Sequence, residues 1–235
     1  MVFIMKRISQ FVLVTAISLL AVVSYAEVRS APIKVACIGD SITAGFGMPE
    51  EKRQTHSYPA VLGRLLGDNY QVTNFGISGR TMLREEPAAW INSSYPRKLE
   101  ELVPDIITMK LGTNDSKMKH WENNKETYES DLKTFIAEFR QINPKVKIYL
   151  CLPVPAFDLR TKELSTGDGI SGTRIFNEII PIIQKVAKDE GLPIIDLQTP
   201  LVTHIEYFSD GVHPNEAGAE AIAQLIYEQI HLGGE

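Results

Sequence analysis

Five short apolar runs punctuate the chain, at residues 33–38, 71–75, 105–111, 146–152 and 193–197, with a longer helical pattern between most of them. Apolar residues recur three and four apart over residues 58–66, 95–102, 125–142, 173–190 and 215–230, most clearly at Leu132, Phe135, Ile136 and Phe139. Strands separated by helices pair in parallel, because each crossover returns the chain to the same end of the sheet. The order therefore predicts an α/β fold around one five-stranded parallel sheet. Its boundaries carry stop signals: Asn143-Pro144 closes the long helix, Gly191-Leu192-Pro193 the next, and Pro214 suits the first position of the last. Residues 156–172, with Gly167, Asp168, Gly169 and Gly172, form the one long loop. With no repeat or linker, and 44% hydrophobic residues in 235, a single domain from residue 27 to 235 is expected.

The first 26 residues stand outside this alternation. Lys6 and Arg7 precede an unbroken apolar or small run from 11 to 23, which closes on Ser24-Tyr25-Ala26. That is the pattern of a signal peptide cleaved after Ala26, and it predicts an exported protein, periplasmic or extracellular. An uncleaved anchor is the alternative, although a span takes about 20 apolar residues. No Cys stands where lipid acylation needs one, so no stable membrane anchoring is expected after cleavage. Loss of Lys6 and Arg7 leaves 22 basic against 29 acidic residues, a net charge of −7, which argues against nucleic acid and anionic membranes as partners. Cys37 and Cys151 both fall in apolar runs and read as buried thiols. An oxidising compartment permits a disulfide, yet two isolated cysteines make neither a disulfide framework nor a metal site.

In an open parallel sheet, ligands sit beyond the carboxyl ends of the strands. After the first strand comes Gly39-Asp40-Ser41-Ile42-Thr43-Ala44-Gly45, a serine at a strand-to-helix turn between two glycines. Such a turn exposes the hydroxyl and aims backbone N–H groups at a developing oxyanion, although a helix N-cap would use the same residues. Before the last helix comes Asp210-Gly211-Val212-His213-Pro214. Three residues apart on one loop, the carboxylate can fix the imidazole tautomer and the imidazole can deprotonate Ser41. Asp-x-x-His also serves as half a metal site, but His56, His120, His204 and His231 are scattered, so no metal is expected. The second strand is followed by Asn74-Phe75-Gly76-Ile77-Ser78-Gly79-Arg80, the third by Leu111-Gly112-Thr113-Asn114-Asp115. Gly76 offers an unobstructed backbone N–H and Asn114 a carboxamide donor; taken singly, both are ordinary turn residues.

Together, Gly39-Asp40-Ser41, Gly76, Gly112-Thr113-Asn114-Asp115 and Asp210-x-x-His213 resemble the four blocks of the SGNH/GDSL hydrolase superfamily, across essentially the whole chain after the leader. Ile42 stands where the motif name has leucine, which preserves an apolar residue. The resemblance implies a flavodoxin-like three-layer α/β/α sandwich. It implies Ser41 as nucleophile, His213 as general base and then acid, and Asp210 as the orienting carboxylate. An oxyanion hole would come from the Ser41 and Gly76 N–H groups and the Asn114 side chain. Acyl transfer through such a site needs no cofactor. The same stretches are similar to secreted bacterial carbohydrate O-acetylesterases of the sialate or xylan type, which implies an acetylated sugar or oligosaccharide as substrate. Arg80, Asp115, Lys117, His120 and Trp121 are then candidate rim contacts, with Trp121 either stacking on a sugar or packing inside. Long-chain acyl hydrolysis, as by a lysophospholipase or thioesterase, is the competing activity, and the polar stretch 50–56 disfavours it. A silent carbohydrate-binding relative would be expected to lose a site residue, and none is lost.

Overall fold

A computed structural model of the protein describes residues 31–232. The expected signal peptide lies outside them. One compact unit begins at Pro32. Strands β1 (Ile33–Gly39), β2 (Tyr70–Gly76), β3 (Ile106–Lys110), β4 (Lys147–Cys151) and β5 (Ile194–Ile195) are all parallel, in the order β2-β1-β3-β4-β5. The chain moves outward from β1 to β2, then crosses back to β3 on the other side of β1. That reversal opens a crevice at the carboxyl end of β1, the position where ligands bind in doubly wound sheets. Register sharpens the point: Gly39 pairs with both Gly76 and Lys110, so β1, β2 and β3 finish at one level and their following loops meet.

Helices cover both faces of the sheet. Val35, Cys37, Tyr149, Cys151 and Ile195 face α3 (Tyr58–Leu66) and the C-terminal helix (Glu216–Leu232) through Tyr58, Leu62, Ile222, Ala223 and Ile226. Ala36, Ile38, Ile107, Met109, Ile148 and Leu150 point the other way, into Leu99, Leu132, Phe135, Ile136, Phe139 and Ile183. Those residues belong to α4 (Tyr95–Leu102), α6 (Tyr128–Ile142) and α8 (Ile180–Glu190). Alternate residues of one strand thus serve two cores, which is why the central strands read as unbroken apolar runs. The three-layer α/β/α sandwich expected from the sequence is the fold of the protein.

The differences are local. The helix read over 125–142 starts later, at Tyr128, because a separate short helix not read from the sequence, α5 (Met118–Asn124), ends in a turn at residues 124–128, closed by the Thr127 N–H on Asn124 O at 3.1 Å. The pattern over 173–190 begins as α7 (Gly172–Arg174) and widens into a π-helical turn over Ile175–Ile179 before α8. Pro181 supplies the reason, since it has no N–H to give the carbonyl one turn back and its ring crowds that turn. Two short helices, α1 (Ser41–Ala44) and α2 (Glu50–His56), are too brief to carry a period. No helix among the described residues is long and apolar enough to cross a membrane.

Candidate active site

Asp40 starts the site. As N-cap of α1 it accepts the Ile42 N–H on Oδ1 at 2.9 Å, which fixes Ser41 at the first helical position, 8% exposed at the end of β1. The same carboxylate receives the Lys110 ammonium on both oxygens, at 2.9 and 3.0 Å, and Lys110 gives its third proton to Thr113 Oγ1 at 3.0 Å. Both side chains of the pair are fully buried. Burial pushes the Lys110 ammonium below its ordinary pKa and the Asp40 carboxylate opposes it. All three ammonium protons are used, the condition under which a buried ion pair is tolerable.

The partner of Ser41 arrives from the far end of the chain. Ser41 Oγ lies 2.9 Å from His213 Nε2, and His213 Nδ1 lies 2.6 Å from Asp210 Oδ2. The carboxylate on Nδ1 places the proton there and leaves Nε2 as the acceptor facing the serine. Asp210 Oδ1 takes the backbone N–H of His213 at 2.7 Å and of Val212 at 3.0 Å. Burial raises the Asp210 carboxyl, but those backbone bonds and the His213 ring outweigh it and hold the carboxyl below its ordinary value. The loop itself is braced by the Phe157 N–H on Gly211 O at 2.7 Å.

The sequence reading puts three donors around the serine, and their surroundings differ. The Ser41 N–H, at the first position of α1, has no partner within its helix. Asn114, 3% exposed, uses Nδ2 to donate to Arg80 O at 3.1 Å, which ties the end of β3 to the turn after β2. Gly76 must be corrected. Its N–H donates to Asn74 Oδ1 at 2.8 Å, so it is not free for a substrate. Its smallness has another use: a Cβ there would lie 2.2 Å from Ala44 N and 2.6 Å from Thr43 C, so β2 is packed directly against α1. Three residues on, Gly79 sits exposed at φ +78° in the turn that Asn114 holds, and its N–H has no partner among the described residues. Of these two glycines, Gly79 and not Gly76 leaves its backbone N–H unpaired.

Three of the rim candidates are interior. Asp115 is fully buried, accepting the Met82 N–H at 2.9 Å and the Leu83 N–H at 2.9 Å. Burial raises its carboxyl to about 6, against the pull of those two N–H groups. His120 is 6% exposed, with Nδ1 2.7 Å from Glu86 Oε2, and Trp121 is 2% exposed, donating to Glu178 Oε2 at 2.6 Å and meeting Tyr128 edge-on. His120 and Trp121 share a cause, since α5 presents its first turn to the core, while Asp115 lies in the turn before α5 and is held there by the Met82 and Leu83 N–H groups. Arg80 and Lys117 remain partly exposed, and burial with the neighbouring Lys119 lowers the Lys117 pKa. Asp40, Lys110 and Gly79 were missed as site residues. Lys110 carried a legible signal, a charge ending an otherwise apolar central strand, which demands a buried partner. Among the described residues no group of three or more His, Cys, Asp or Glu could hold a metal ion.

Known proteins match this arrangement. The profile of the GDSL-like Lipase/Acylhydrolase family covers residues 37–221. An acetylxylan esterase of Xylanibacter ruminicola is 39% identical over 216 residues, 84% of this chain and 43% of that protein, so the chain spans less than half of that relative's length. Among solved structures, the native aryl esterase of M. smegmatis superposes with a TM-score of 0.66 at 20% identity, over 85% of this chain and 99% of that one. A carbohydrate acetylesterase from Sinorhizobium meliloti gives 0.67 at 19%, over 85% and 99%. The family match runs from the first strand into the last helix, through every element that brings Ser41 to His213, and the chain belongs to the GDSL-like lipase/acylhydrolase family.

Proposed function

We propose that the protein is a serine esterase that removes O-acetyl groups from carbohydrates. The observation that carries the chemistry is the continuous hydrogen-bonded line from Ser41 through His213 to Asp210. In this reading His213 Nε2 takes the Ser41 proton as Oγ attacks the ester carbonyl, and Asp210 stabilises the imidazolium that forms. The tetrahedral oxyanion faces the Ser41 N–H, the Gly79 N–H and the Asn114 carboxamide. His213 then returns the proton to the departing alcohol oxygen, and the reverse sequence with water releases acetate. The acetylated sugar is supported by the acetylxylan esterase named above, the relative at 39% identity. Export through residues 1–26 belongs to the same proposal, and an intact mass beginning at Glu27 is the expected finding for secreted material.

Ser41→Ala should cut turnover of acetyl esters roughly ten-thousandfold or more while leaving the thermal midpoint in place. Near-normal turnover by the folded variant would refute the mechanism. Rates on p-nitrophenyl acetate and octanoate decide the acyl group, and a preference for octanoate would move the protein to the lysophospholipase or thioesterase class.

A further inference from the structure

The turn after the nucleophile holds an exposed aromatic ring against the base. Phe46 is 43% exposed, yet its ring meets the His213 ring edge-to-face at a centroid distance of 4.7 Å, and the Arg53 guanidinium stands 5.1 Å from its centroid. The backbone beneath it is fixed. The Phe46 N–H donates to Ser41 O at 2.9 Å, and Arg53 Nε donates to Met48 O at 3.2 Å across the same turn. Gly47 adopts φ +100°, and a Cβ there would fall 2.8 Å from His213 Cβ and 2.9 Å from Pro214 O, so the turn lies directly on the backbone of the base. Core packing does not account for a phenyl ring left this open while being held so firmly.

Which half of an ester meets this ring follows from the chemistry. The carbonyl oxygen must face the Ser41, Gly79 and Asn114 donors, which sit at the ends of β1, β2 and β3. The alcohol oxygen must come within hydrogen-bond reach of His213 Nε2, because that nitrogen supplies its proton. The alcohol half therefore lies along His213, where Phe46 is the neighbouring ring. We propose that Phe46 is the platform for the departing sugar: its open surface receives the apolar C–H face of a pyranose, while Arg53 holds the ring in place. This rests on the carbohydrate reading and adds the residue that selects a ring-shaped alcohol.

The alcohol leaves in the first half-reaction, and the acetyl-enzyme that water attacks is the same whatever alcohol was lost. Phe46 should therefore act on acylation by sugar esters and nowhere else. The test compares kcat/KM of wild type, Phe46→Ala and Phe46→Tyr on acetylated xylobiose and on ethyl acetate, which forms the same acetyl-enzyme without a ring in the alcohol. Phe46→Ala should lose about tenfold on the sugar ester and less than about threefold on ethyl acetate, with Phe46→Tyr restoring the sugar rate. Equal losses on both esters would overturn the proposal in favour of a prop for His213, and no loss on either would overturn it outright. Wild type that hydrolyses ethyl acetate but not acetylated xylobiose would instead bring down the carbohydrate reading, and this inference with it.

Discussion

Asp40 serves two neighbours with one carboxylate, and that economy makes the turn at Ser41 sensitive to the buried Lys110 side chain. It caps the helix that begins at Ser41 and accepts both contacts from Lys110. Lys110→Met removes the charge and leaves Asp40 buried without its partner. A stability loss of about 3–5 kcal/mol is expected in urea unfolding, with slower fluorophosphonate labelling of Ser41 in the fraction that stays folded. An unchanged midpoint would mean that the pair does not hold the turn. Asp115 is the converse case, a buried carboxyl with N–H donors but no cation bonded to it. Its folded pKa of about 6 lies above the ordinary 3.8, so the folded state binds the proton more tightly than the unfolded chain. Stability from this group is present at low pH and is lost as pH rises from about 4 to 6, amounting to about 3 kcal/mol. Asp115→Asn keeps one acceptor oxygen and cannot titrate. Relative to wild type it should therefore gain stability by about that much between pH 4 and pH 7, read from urea midpoints, and a constant difference would contradict the assignment.

At the scale of elements, Gly76 and Gly79 lie three residues apart and differ in what surrounds them. An alanine at 76 collides with the backbone of Thr43 and Ala44, so Gly76→Ala should cost several kcal/mol and displace α1, seen as a large fall in melting temperature together with activity. An alanine at 79 meets nothing within 4 Å and is strained only by its left-handed backbone, about 1 kcal/mol. Gly79→Ala should melt within a few degrees of wild type, and any larger effect should appear in kcat. The sequence reading put the donor at Gly76 because a glycine leaves its N–H unobstructed, and the Asn74 side chain closing on that N–H is what no local pattern announces. Strands and the longer helices were legible because each repeats its period over several residues against a two-sided core; residues 58–66 and 95–102 are helical with the boundaries read from the sequence. Direction was not legible. Asp115, His120 and Trp121 leave the correct end of β3, but whether the chain then turns toward solvent or back over the sheet depends on tertiary packing that no local pattern encodes.

For the molecule as a whole, the sheet order decides more than the site. Ser41 and His213 are 172 residues apart in the chain and meet only when β1 lies between β2 and β3 and the last helix packs beside α3. Contacts of Glu216 with Lys52 and His56 fasten the start of that helix to α2, next to the turn that carries Phe46. The same order bears on Cys37 and Cys151. They lie on β1 and β4 with β3 between, and Cys37 is level with Thr108, which is level with Tyr149, two residues short of Cys151. Two strand spacings alone put their backbones roughly 10 Å apart, beyond the 7 Å that a disulfide spans. Burial suppresses both thiolates, raising Cys37 to about 12 and Cys151 further, so neither is primed for exchange. Material recovered from an oxidising compartment should accordingly carry two free thiols, silent to Ellman's reagent when native and both titrating after denaturation, with a melting temperature indifferent to reductant. A disulfide between them would require β1 and β4 to approach without β3, and would contradict the sheet order that brings Ser41 to His213.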